Sequence, residues 1–66
     1  MFWVLFVSGS GYVSRIDVGI LTHRIEYADL AALSILFESE EEAKWGLSLV
    51  KKTGSQLAAQ AKIIKI

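Results

Sequence analysis

The chain has 66 residues, no cysteine and no proline, and its seven basic and seven acidic residues cancel to a formal net charge of zero. That length allows one domain, residues 1–66, and the missing cysteine excludes a disulfide framework, a thiolate metal site and a cysteine nucleophile. The charge balance removes any general pull toward nucleic acid or an anionic membrane, and a core this small needs outside help, which in a chain 53% apolar points to oligomerisation.

The sequence opens MFWVLFV, with no polar residue among the seven. No Lys or Arg precedes the run and Ser8, Gly9, Ser10 and Gly11 end it, unlike a signal peptide. It is also too short to cross a bilayer as a helix. A cytoplasmic protein with no membrane partner is the expectation. Residues 2–7, rich in aromatic and β-branched side chains, read as a strand.

Residues 8–11 read as a hairpin turn, with Gly9 and Ser10 suited to a two-residue type II′ loop. Residues 12–18 then return as the second strand. That loop would set Val7 opposite Tyr12, Leu5 opposite Ser14 and Trp3 opposite Ile16. The other face would hold Phe2, Val4, Phe6, Val13, Arg15 and Asp17. Both faces of strand one are apolar while strand two carries polar groups on both, so strand one is expected at the centre and strand two nearer an edge.

Residues 19–24 read as a connection. Residues 25–33 contain Ala28, Ala31 and Ala32, which favour one or two helical turns. Residues 34–38, SILFE, read as a short third strand. Ser39 followed by Glu40, Glu41 and Glu42 fits a capping box, with Ser39 as N-cap and Glu42 three residues on. Lys51 and Lys52 complement the other end of the dipole and Gly54 is placed to stop the helix. A helix over residues 40–53 is predicted, with Ala43, Gly46, Leu47 and Val50 as its core stripe. Trp45 and Leu49, four apart, lie on an adjacent face. Residues 55–60 form a link, and residues 61–66 read as a final strand with Ile63, Ile64 and Ile66 pointing both ways. The predicted fold is α+β, β-β-(short α)-β-α-β: an antiparallel hairpin plus a βαβ-like unit, one main helix on a small mixed sheet.

Few residues invite chemistry. Gly9, Ser10 and Gly11 lack the Lys and the following helix of a phosphate loop. His23 is the one histidine, with Arg24, Glu26 and Asp29 nearby but no pocket implied. No serine sits in a nucleophile-elbow pattern, and the glutamates around the helix start fit no calcium loop. No catalytic residue, metal ligand or cofactor is therefore expected. Lys51, Lys52, Lys62, Lys65 and Arg15 suggest a nucleic-acid or regulatory alternative, but no RNA-binding aromatic motif or recognition helix accompanies them.

The aromatic residues are more informative. Phe2, Trp3, Phe6, Trp45 and Leu49 either fill the chain's own core or, because one helix can cover only one face of a small sheet, leave an apolar patch that a second copy covers; the second is the expectation. Residues 25–33 would cover part of the remaining face. Glu38, Glu40 and Glu41 would then stay free to meet a basic surface on a protein partner.

The stretch IEYADLAALSILFESEEEAKWGL, with Phe37, Glu38, Ser39, Glu40, Glu41, Glu42 and Ala43 at its centre, resembles a pattern of small phage and prokaryotic α+β proteins. In that pattern a hairpin and a short segment precede a strand ending in Phe, an S-E-E-E-A helix start and a last strand. Proteins of that type include phage-encoded inhibitors of bacterial defence, which bind a host protein. The resemblance implies nothing catalytic and carries over no site residue; together with the apolar first strand, which favours association, the expectation is a non-enzymatic, protein-binding homodimer, in the host cytoplasm if phage-encoded.

Overall fold

The first turn determines which side chains of the opening hairpin share a face. In the computed structural model, which describes every residue except Thr22, Ser55 and Leu57, β1 (Trp3–Val7) pairs antiparallel with β2 (Gly11–Val18). The pairs are Phe6 with Tyr12 and Val7 with Gly11, so the loop has three residues, not the two expected. Ser10 N–H donates to Val7 O at 3.0 Å, and Gly9 takes a φ of +86°, which an L side chain resists. Gly11, at φ +111°, leaves no room either: a Cβ there would lie 2.6 Å from the Ala28 carbonyl oxygen. The extra loop residue moves Tyr12 to the face of Phe6 and Val13 to the face of Leu5 and Val7.

A β-bulge then reverses that slip. β3 (His23–Ala28) pairs antiparallel with β2, and the register shifts between Val13 and Arg15. One residue is absorbed there, so Val13 and Ile16 share a face although they are three apart. Beyond the bulge the faces match the sequence expectation: Ile16 lies with Trp3, and Arg15 and Asp17 lie with Phe2 and Val4.

Residues 25–33 are not the expected helical turns. They finish β3 and pass into a 3-10 turn, Ala31–Leu33. Alanines favour helix locally, but Arg24, Ile25, Glu26 and Tyr27 alternate with a period of two, and pairing with β2 satisfies that alternation. The connecting stretches 19–24 and 55–60 include Thr22, Ser55 and Leu57, which lie outside the described residues.

Residues 34–38 do not form a full third strand. They wedge between β1 and β2 where these separate. Trp3 and Phe37 exchange two backbone hydrogen bonds of 2.9 Å, and Ile35 N–H donates to Val13 O at 3.1 Å. The helix α1 (Glu40–Lys52) follows at once. Ser39 Oγ accepts from Glu42 N–H at 3.1 Å, as the capping box requires, while Glu42 Oε2 accepts from Glu38 N–H rather than from the cap residue's own. Thr53 is the C-cap, so the helix ends one residue before the predicted limit. Its buried stripe is Ala43, Gly46 and Val50, with Leu47 packed beside it.

β4 (Lys62–Lys65) returns along the free side of β1 and pairs with it antiparallel, giving the order β3-β2-β1-β4. β1 is central, as its composition suggests. β2 is internal, and the edges are β3 and β4. The expected mixed sheet is replaced by an antiparallel one. The 34–38 segment and β4 do run parallel on either side of α1, but both are antiparallel to β1, which lies between them. Among the described residues the class is α+β, with one α-helix on a four-stranded sheet.

Leu5, Val7 and Val13 from the sheet, Phe37 from the wedge, Ala43 and Val50 from α1 and Ala58 make the buried cluster. The Phe37 ring sits directly on Gly46. A Cβ on Gly46 would overlap its Cζ and lie 2.8 Å from its Cε1. Gly46→Ala should therefore destabilise the fold by about 1–3 kcal/mol, although alanine favours helix by about 1 kcal/mol. Urea denaturation measures this, and an unchanged or raised midpoint would contradict the contact.

Tyr27 packs against the same cluster, and burial raises its phenol pKa above the ordinary 10.0. The unfolded chain ionises at the ordinary value while the folded phenol stays neutral. Stability from this group is thus complete below about pH 10 and falls as pH rises past it. Denaturant melts at about pH 9 and about pH 11 should show that loss, and Tyr27→Phe should lessen it; an equal loss in the variant would assign it elsewhere.

Candidate self-association surface

Alternation about the core assigns every strand residue to a side of the sheet. Trp3, Leu5, Val7, Val13, Ile16, Ile25, Tyr27 and Ile63 face α1. The opposite side is uncovered by α1. Along β1 it carries Phe2, Val4 and Phe6, and along β4 it carries Lys62, Ile64 and Ile66. Phe2 and Ile66 exchange backbone hydrogen bonds of 3.2 and 2.8 Å, which extends the β1–β4 ladder by one pair. Leu36 lies between Ile35 and Phe37, which both pack on the α1 side, so its own side chain projects to this bare side.

The surface has an apolar half and a charged half. In the apolar half Val4 is fully buried, while Phe2 is 38% and Ile66 49% exposed. Val4 does not belong to the cluster under α1; on this side its cross-strand partner is Ile64, and Phe2 and Phe6 flank it along its own strand. The Phe6 and Tyr12 rings stack tilted, with centroids 5.0 Å apart, and close this half toward β2. The charged half lies on β2 and β3: Arg15 opposite Glu26 and Asp17 opposite Arg24. Arg15 Nε lies 3.7 Å from Glu26 Oε2, and Arg24 Nη2 donates to Glu26 Oε1 at 3.4 Å.

The structure divides the five residues expected to form one patch. Phe2 and Phe6 lie on the bare side. Trp3 is on the α1 side, half-buried, with Lys65 Nζ 5.6 Å from its ring centroid. Trp45 is 63% exposed and sits two residues from both Ala43 and Leu47, about half a turn around the helix from the core stripe. Leu49 is half-buried one turn further on. Trp45 and Leu49 therefore stand on the far side of the molecule from Phe2 and Phe6. The 3-10 turn, expected within a segment covering the second face, buries none of its three residues. Val4, Tyr12, Leu36, Ile64 and Ile66 complete the bare side and were missing from the expected patch. The alternation of Lys62, Ile64 and Ile66 against Val4 and Phe2 was the signal for the last two.

The acidic residues do gather at one place. Glu40 lies 3.9 Å from Lys44 Nζ, and Glu38, Glu40 and Glu41 are all exposed around the start of α1. The basic residues do not gather. Lys51 and Lys52 end the helix, Lys62 is on the bare side, Lys65 lies over Trp3 and Arg15 is paired with Glu26. His23 is exposed at the start of β3, opposite Val18. Among the described residues no three His, Cys, Asp or Glu side chains converge in a way that could hold a metal ion, and no helix is long and apolar enough to cross a membrane. The chain matches no family model, no curated protein and no solved structure.

Proposed function

We propose that this protein is a non-enzymatic, cytoplasmic binding module that works as a homodimer, with two copies burying their bare sheet faces against each other. The observation that carries the reading is the apolar row of Phe2, Phe6, Ile64 and Ile66, each at least partly exposed on the side of the sheet that α1 leaves open. An apolar stripe of this kind marks an interface, and face-to-face sheet packing is the ordinary way to cover one. The formal net charge of zero adds no repulsion between copies. Stacking by this face leaves the start of α1 in solvent. Glu38, Glu40 and Glu41 are then available to a basic surface on a second protein, the mode of small phage-encoded inhibitors that occlude a host factor. The scatter of the basic side chains over several parts of the fold favours a protein partner over nucleic acid, which selects for a continuous basic stripe.

Light scattering on a sizing column gives the test. The wild type should run at twice its 7.3 kDa mass. Phe2→Glu and Ile66→Glu, both at partly exposed positions, should each weaken the dimer about tenfold or more. Trp45→Glu, on the outer side of α1, should leave the dimer intact. A monomeric wild type at high concentration would reject the reading. A dimer broken by Trp45→Glu alone would move the interface to the helix.

A further inference from the structure

The charged half of the bare side carries information that the apolar half does not. Apolar contact covers Phe2 and Ile66 in many relative orientations of two copies. Charges on the same face restrict them, because like charges brought together cost far more than misplaced methyl groups.

Two rows cross the bare side. Counted from the Phe6–Tyr12 pair and through the bulge, Val4, Ile64, Arg15 and Glu26 stand at one level. Phe2, Ile66, Asp17 and Arg24 stand two residues further along the strands. Along β2 the order is plus then minus. Along β3, at the same levels, it is minus then plus. The four charges form a checkerboard.

From this pattern we infer that the second copy docks about a two-fold axis that lies parallel to the sheet, runs across the strands and passes between these two rows. The inference rests on the homodimer reading above and specifies its geometry. Such an axis exchanges the rows. Arg15 of one copy then meets Asp17 of the other, and Glu26 meets Arg24, each contact occurring twice. The same operation sets Phe2 over the position of Val4, whose side chain its own copy already buries, and Ile64 against Ile66. One axis therefore pairs Ile64 with Ile66 and each charge of the checkerboard with its opposite. The other simple two-fold, parallel to the strands along the β1–β4 seam, also stacks the apolar halves but leaves the checkerboard outside the interface. A two-fold contact must be complementary to itself, and the checkerboard is complementary to itself under the first axis.

Paired charge variants test the axis. Arg15→Asp gives two acids along β2, and Asp17→Arg gives two bases. Each variant alone opposes like charges, and its dimer should weaken at least tenfold. An equimolar mixture sets Arg15 against Asp17 positions of opposite sign again, and should restore the dimer to within about threefold of wild type. Both positions are exposed, Arg15 by 68% of its side chain, so the fold should tolerate either change. Arg24→Glu with Glu26→Arg forms a second pair on β3 that makes the same demand, should a β2 variant fail to fold. Sedimentation equilibrium of each protein and each mixture gives the readout. Variants that dimerise like wild type on their own, or mixtures that remain monomeric, would overturn this axis while a dimeric wild type still upholds the proposed function. A monomeric wild type would instead reject the proposed function itself.

Discussion

The contact of Phe37 with Gly46 holds the two layers of this protein together. Phe37 is fixed to β1 by two backbone hydrogen bonds with Trp3, and its ring lies on the one position of α1 where no side chain intervenes. Only glycine allows that approach. Because Phe37 immediately precedes the capped helix start, the same contact determines where α1 begins, how close it lies to the sheet and which of its faces is buried. It also keeps β1 and β2 apart beyond their first two pairs, since residues 34–38 occupy the gap. The bulge in β2 sits beside that gap and returns Ile16 to the core side.

A close helix on one side leaves the other side to be covered by something else. Both faces of β1 are apolar, which suits a central strand buried on both sides. The α1 side is served by Ala43, Leu47 and Val50. On the other side the strand's neighbours supply Ile64 and Ile66, then Tyr12 and Leu36, so the apolar surface continues across the sheet. It stops beyond the bulge in β2, where Arg15 and Asp17, with Glu26 and Arg24 opposite them on β3, replace apolar residues. A surface that is apolar at one edge and a balanced set of charges at the other has the composition of an interface with a core and a polar rim. In the proposed dimer this face is the contact between the two copies.

Much of this was legible in local chemistry. The capping box, the flanking lysines and the core stripe located α1 to within a residue at its end, because each signal is satisfied within the helix itself. The central position of β1 followed from its two apolar faces. Features set by long-range pairing were harder to read. The three-residue loop and the bulge each shift the register by one, in opposite senses, so the faces of Arg15, Ile16 and Asp17 were read rightly while those of Tyr12 and Val13 were exchanged. β3 was hidden by alanines whose helix preference is weaker than a strand partner. The wedge at 34–38 looks like a strand from its composition and is one only over a single bridge. Trp45 lies two residues from both Ala43 and Leu47, which places it opposite the core stripe and away from Phe2 and Phe6.

The central claim is that Phe2, Phe6, Ile64 and Ile66 are covered by a second copy of the chain. Isotope-filtered nuclear Overhauser spectroscopy on an equal mixture of labelled and unlabelled protein tests it most directly. The account predicts contacts between copies from the Ile64 to the Ile66 methyls. Contacts between copies confined to Trp45 and Leu49, or none at concentrations well above those needed for the spectrum, would contradict it.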